Sequence, residues 1–326
     1  MKPMSNVECR MPIALAFMAA TLFAPTSGAE APKLPAEAPF LWEVQGASAH
    51  HYLLGSVHLL PPSAMPLPAA LDRAYAATQA LVIETDLEAL SSPEMQGRML
   101  GAAREDRPGG LQGRIGKPLY RKLQSRAKAL GMPTPVCADL RAWFCALALE
   151  LYPLQQAQFS PEHGIDQHYF TLAGEDRRPV IVLEPPEFQI GLFAQMSEPL
   201  ARQMLAATLD EATHASQTPE ELYRIWRTGD LAALEHLTRD MRKQFPELHA
   251  RLLSDRNRAW LPQLAERMDQ DVPLLVIVGA AHFVGPDGLL ALLKARGFEV
   301  KPVAGEAPAP AKPSVGNPLP TDVSPE

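Results

Sequence analysis

Two histidines are set out alike near opposite ends of the chain, in Tyr52-Leu53-Leu54-Gly55-Ser56-Val57-His58 and Val276-Ile277-Val278-Gly279-Ala280-Ala281-His282. Each is an apolar run that breaks into G-x-x-H. An apolar run ending in Gly reads as a buried strand, and His then falls just beyond its carboxyl end, where open α/β sheets place their ligand crevices. Neutral imidazole is the commonest metal ligand, and a Gly beside it lets backbone approach a bound group closely. Either histidine alone would read as an ordinary loop residue bonded to backbone. Their repetition after two similar strands points to a shared site.

Glu84 and Glu184 end two further apolar runs, Leu81-Val82-Ile83 and Val180-Ile181-Val182-Leu183. A carboxylate at a strand end needs a partner. Together with His58 and His282 these glutamates would make a mixed N/O ligand set with an open position, suited to zinc, manganese, cobalt or iron. Glu84 could ligate or act as general base, and Asp86 lies near enough to serve, although Thr85-Asp86 also reads as a turn or N-cap. In Gly164-Ile165-Asp166-Gln167-His168, positions i and i+2 face apart on a helix, which favours Asp166 over His168 as the site or capping residue. An inward Arg256, in the polar run Ser254-Asp255-Arg256-Asn257-Arg258, could hold a substrate carboxylate or a glutamate. No G-x-S-x-G, H-E-x-x-H, G-x-x-x-x-G-K-[ST] or G-x-G-x-x-G motif is present. His50-His51 is expected to play a local part.

The elements that must position these residues follow from the hydrophobic pattern. Phe40–Val44 and His51–Gly55 predict a β-hairpin. A helix over about 68–78 and a strand over 80–84 come next, then a largely helical stretch from 92 to about 173 and a strand over 179–184. A second helical block runs from 187 to about 268, with Thr218 as N-cap and Glu221 closing a capping box. Strand 273–279, helix 285–296, Gly297 as C-cap and strand 298–303 close the fold. The expectation is an α/β (α+β) protein with a mixed central sheet built from two βαβ-like halves and large helical insertions.

At 326 residues, 47% hydrophobic and 21% charged, the chain is long enough for a substantial core. A net charge of −7 and the lack of a basic, aromatic-laced patch exclude nucleic acid as the expected partner. Lys2 and Arg10, the apolar run from Met11 to Ala24 and small residues Ser27 and Ala29 have the layout of a signal peptide over 1–29. The expectation is export to a bacterial periplasm or beyond, a leader over 30–38, one domain over 39–304, a Pro-rich tail over 305–326, and no membrane span after cleavage. Export permits a Cys137–Cys145 disulfide. On a single helix their Cα atoms would stand ~12 Å apart, too far to bridge, so separate buried thiols are expected unless Cys137 precedes the helix.

Taken in order, Leu-Gly-Ser-Val-His58, Ile-Glu84-Thr-Asp, Gly164-Ile-Asp166, Leu183-Glu184, Asp-Arg256-Asn257 and Val-Gly-Ala-Ala-His282 resemble the TraB/PrgY/GumN family, which is related to the Tiki metalloproteases. The resemblance spans roughly residues 38 to 304. It implies an erythromycin-esterase-like or ChaN-like core and, by analogy with Tiki relatives, a divalent-metal-dependent peptidase needing His58, His282 and Glu84, with Arg256 and Asp166 also matching. Pro185-Pro186 after Glu184 departs from the Glu-Thr more usual in relatives and stiffens the backbone there. The expected partner is a peptide or protein substrate. The alternative is a non-catalytic binding or inhibitory protein that holds a peptide, iron or haem in the same crevice.

Overall fold

The apolar runs become strands β1 (Leu41–Gln45), β2 (His50–Ser56), β3 (Ala80–Ile83), β4 (Val180–Val182), β5 (Leu274–Gly279) and β6 (Glu299–Pro302). They form one sheet in the order β4-β3-β5-β2-β1-β6. The computed structural model describes residues 40–132, 136–210 and 218–304, so the expected signal peptide, leader and Pro-rich tail lie outside the described residues. Among these residues no helix is long and apolar enough to cross a membrane.

The sheet is mixed, and its arrangement creates the crevice. β4, β3, β5 and β2 are mutually parallel, so their carboxyl ends share one edge. The hairpin partner β1 runs antiparallel to β2, and β6 antiparallel to β1, which returns β6 to the direction of β5. Both expected βαβ units therefore exist in direction, yet they interleave: β5 enters between β2 and β3 and pairs with each. Strands covered on both faces read as continuous apolar runs, and Leu274 to Val278 are all buried. His51 serves locally as expected, accepting from the Leu274 N–H at 3.2 Å and bonding the Met268 carbonyl at 3.0 Å, which ties β2 to the start of β5.

Among the described residues the apolar side chains gather into two large cores and a small cluster of Leu59, Leu154 and Phe159. One joins the sheet to Trp226, Trp260 and Phe283. The other lies wholly among the helical insertions, around Trp143, Phe193 and Leu205. Thr218 caps the Pro219–Thr228 helix through the Glu221 N–H at 3.1 Å, as expected. The Glu221 carboxylate, by contrast, holds Arg224.

Cys137 and Cys145 are bonded, with Cα atoms 5.8 Å apart. This corrects the expectation of separate thiols. Cys137 sits in a turn at φ 62°, ahead of the Ala142–Gln156 helix that carries Cys145, so the pair does not share one helix. Closing so short a loop restricts the unfolded chain by about 2–3 kcal/mol. Reduction, or Cys145→Ala, is expected to lower stability by about that amount, measured by guanidinium unfolding with and without reductant; an unchanged midpoint would show that the helical core holds this turn unaided.

Candidate functional site

Each carboxyl end of the parallel strands contributes one polar side chain. β2 leads to His58, β3 to Glu84, β4 to Glu184, and β5 to Gly279 and the short turn Ala280–Phe283 that carries His282. A β-carbon on Gly279 would lie 3.3 Å from Glu84 Oε1, 3.6 Å from the His282 ring and 3.7 Å from His58 Nε2. The three side chains thus converge above one glycine, whose own N–H donates to Glu84 Oε1 at 2.7 Å.

The helices then fix each group. Gly164 packs so closely on the His58 backbone that a β-carbon would stand 2.4 Å from its carbonyl oxygen. This approach docks the Ile165–Glu175 helix there, its first N–H bonded to the Val57 carbonyl at 3.2 Å. Asp166 consequently reaches His58 Nδ1 at 2.7 Å and accepts from the Ser56 hydroxyl at 3.1 Å. His168 lies elsewhere, its ring edge-on to Tyr169.

From the opposite side comes the Asp255–Met268 helix, preceded by the π-helical turn Ala250–Ser254. Arg251 anchors that turn by donating to the Gly191 and Leu192 carbonyls. Arg256 is 3% exposed and donates to Glu184 at 2.9 and 3.0 Å, to the Leu252 carbonyl at 3.1 Å, and to Glu84. Its Nη1 lies 3.1 Å from His282 Nε2. Asn257 donates through Nδ2 to the carbonyls of His282 and Asp287, which leaves its Oδ1 to accept from His282 Nδ1 at 2.7 Å. The amide therefore fixes the tautomer: His282 carries its proton on Nδ1 and turns the Nε2 lone pair toward Arg256.

Glu184, expected among the metal ligands, faces Arg256, Trp260 and Gln189 rather than the two histidines. Every group that meets it is an N–H donor. Burial raises its carboxyl, against the hydrogen bonds of Arg256. Burial also works to raise Glu84, but Arg256 and then the histidines outweigh it and hold Glu84 well below the usual carboxylate range. For His58, burial alone would lower the imidazole, and the charges of Asp166 and Glu84 instead lift it to about 9. For His282, burial and then Arg256 push it down to about 3.

A cavity of about 40 Å³ opens on His58, Glu84, Asp166, Gln189 and Thr85. Thr85 is one of its walls, and the Thr85 hydroxyl is buried without a partner among the described residues. Such an orphan is usually met by water or a ligand. Asn257 and Thr85 read from sequence only as members of a polar run and of a turn, and Trp260 reads as ordinary core, although its place four residues after Arg256 puts both on one helix face.

In chemistry the donors fit a divalent ion: two imidazole nitrogens and a carboxylate oxygen, each ring tethered at its other nitrogen. In this arrangement Arg256 stands at His282 Nε2, and among the described residues no three His, Cys, Asp or Glu side chains already stand as a metal cluster.

The sheet and its strand-end imidazoles and carboxylates define an α/β protein with a polar crevice at the parallel edge. The chain matches the TraB/PrgY/gumN family over residues 40–302 and belongs to it. It is similar to YbaP of Escherichia coli (strain K12), an uncharacterized protein, at 26% identity over 246 residues, covering 75% of this chain and 88% of that one. YbaP of Shigella flexneri matches to the same extent. No solved structure matches the chain.

Two outcomes follow from the buried charges. Arg256→Met leaves Glu84 and Glu184 without their cation and is expected to cost about 3–5 kcal/mol; in a Glu184→Gln background the loss should shrink by at least about 1 kcal/mol, and strict additivity in urea unfolding would refute the coupling. His58 binds its proton more tightly folded than unfolded, so its contribution is complete below its ordinary 6.5 and is lost as pH climbs through about 9. Metal-free protein should therefore lose stability between those values, and His58→Gln should flatten that slope.

Proposed function

We propose that this chain is an exported hydrolase that cleaves peptide bonds at the strand-end site with a bound divalent ion, of manganese, cobalt, zinc or iron. The observation that carries the reading is the matched tethering of the two histidines. Asp166 holds Nδ1 of His58 and Asn257 holds Nδ1 of His282, each at 2.7 Å, which leaves both Nε2 atoms for the crevice; His282 Nε2, beside Arg256, stands 3.9 Å from Glu84 Oε1, and His58 Nε2 lies over the same Gly279. Metal-ligating histidines characteristically donate their other N–H in this way. The resemblance of the motifs to the Tiki metalloproteases also supports peptidase chemistry. The apolar run over residues 11–24 and the Cys137–Cys145 bond support an oxidising compartment outside the cytosol.

His58 and His282 would hold the ion through Nε2 and Glu84 through Oε1. The chemistry such an ion supplies when bound is polarisation of a carbonyl and acidification of water. Glu84, kept ionised, suits the holding of a cation better than the keeping of a proton. Asp166 and Asn257 orient the rings. Arg256, anchored on Glu184, would release His282 and steady negative charge developing on a substrate oxygen.

A second reading, a binding protein that sequesters a peptide, iron or haem without turnover, draws on the Arg256–His282 contact, which satisfies the site without an ion. One set of measurements separates the two. Calorimetric titration with manganese, cobalt and zinc should show one ion bound, abolished in His58→Ala and His282→Ala and weakened about 10–100-fold in Asp166→Asn. A peptide library incubated with each metal should be cleaved by wild type and spared in chelator. Ion or haem uptake without cleavage would favour the binder; no uptake, or uptake indifferent to both histidine variants, would sink the hydrolase.

A further inference from the structure

A second cavity, of about 70 Å³, shares His58 with the polar one and is walled by Val57, Leu59, Phe159, Leu222, Trp226 and Leu237. This is several times the roughly 10–15 Å³ that one water needs. No Asp, Glu, Lys or Arg lines the second cavity. Apart from the His58 ring, held at Nδ1 by Asp166, its polar side chains are already engaged. The Trp226 indole donates to the Gly55 carbonyl at 3.0 Å, the Tyr223 hydroxyl accepts from Arg227 at 2.8 Å, and the Ser56 hydroxyl donates to Asp166 at 3.1 Å. A charged or amide side chain placed here would lose its water and meet apolar walls on every side but that of His58, whereas an aliphatic one loses nothing polar.

We propose that this cavity is a side-chain pocket that takes a branched aliphatic residue, such as leucine, from a peptide whose backbone lies across His58 toward Glu84. The proposal rests on the hydrolase reading for what happens to that peptide, and on the cavity alone for which peptide is chosen. Its continuity with the polar site supplies the occupant. A chain held between His58 and Glu84 brings the side chain of an adjacent residue to the second cavity, which shares that imidazole. Leu222 and Leu237 stand on successive helices, Pro219–Thr228 and Leu231–Gln244, and remain partly exposed, which makes theirs the wall nearest solvent.

The test is binding, which does not depend on turnover. Blocked tetrapeptides that differ at one central position, carrying Leu, Ala, Lys or Asp, are titrated into the protein by calorimetry. The Leu peptide is expected to bind at least about tenfold more tightly than the Ala peptide, the scale on which apolar pockets discriminate methylenes, and Lys and Asp should bind no better than Ala. Leu222→Trp, which fills the pocket from a partly exposed position, should erase the preference while manganese uptake stays at the wild-type value. Leu237→Gln is the second variant, should the first fail to give a native circular dichroism spectrum. Equal binding of all peptides, no binding of any, or a leucine preference that survives both folded variants overturns the proposal. A leucine preference without metal uptake or cleavage would leave the pocket standing and remove the hydrolase.

Discussion

The guanidinium of Arg256 is the constraint on which the crevice depends. Parallel pairing of β3 with β4 sets Glu84 beside Glu184, the N–H of one bonded to the carbonyl of the other at 2.8 Å. Two adjacent carboxylates under helices and away from water would repel each other and resist ionisation. A single buried cation bridges them: Arg256 donates to both and stacks on Trp260 at 4.6 Å. Planar, forked donors suit this task in a way that an ammonium does not. The dependence is mutual, because a guanidinium 3% exposed is itself untenable without acceptors on every side.

Strands and helices divide the work accordingly. The sheet brings acceptors and imidazoles to one edge, since four neighbouring strands run the same way and each must end there. Helices supply what orients them: Asp166 from the first turn of one, Arg256 and Asn257 from the start of another. The π-helical turn before Arg256 is a wider winding of the kind that recurs at functional sites, and it is pinned through Arg251 to the end of the Pro186–Ala194 helix that follows β4. The position of Arg256 is therefore tied to the same strand end that supplies Glu184.

Much of this was legible in sequence because strand ends are marked by composition. An apolar run that stops at Gly or Glu declares both the strand and the residue that leaves it, and so His58, Glu84, Glu184 and His282 could be named together. Arg256 and Asp166 stood out as polar residues inside helical patterns. What periodicity could not show was sheet order: the βαβ-like halves are separate in sequence, yet β5 inserts between β2 and β3, an event decided by long-range pairing. Nor could spacing reveal that Glu184 would face the arginine, because the direction of a side chain beyond a strand end depends on the next turn, here stiffened by Pro185 and Pro186. The disulfide escaped for the same reason, since it turns on where one helix begins.

The two G-x-x-H segments, alike in sequence, are unlike in space, and the difference is chemically useful. In the β2–β5 pairing Gly55 lies opposite Val278, so the glycines are one residue out of register. Beyond Ser56 the chain runs out to His58, while beyond Gly279 it winds at once into the turn bearing His282. The rings consequently meet over Gly279 from different directions instead of stacking side by side. Their surroundings then separate them electrostatically, a carboxylate raising His58, while burial and then a guanidinium leave His282 uncharged. Two close imidazoles cannot both carry charge without penalty. Asp166 and Asn257 hold the two rings at the same nitrogen but with unlike charge, and the repeated motif reads as two unequal halves of one centre.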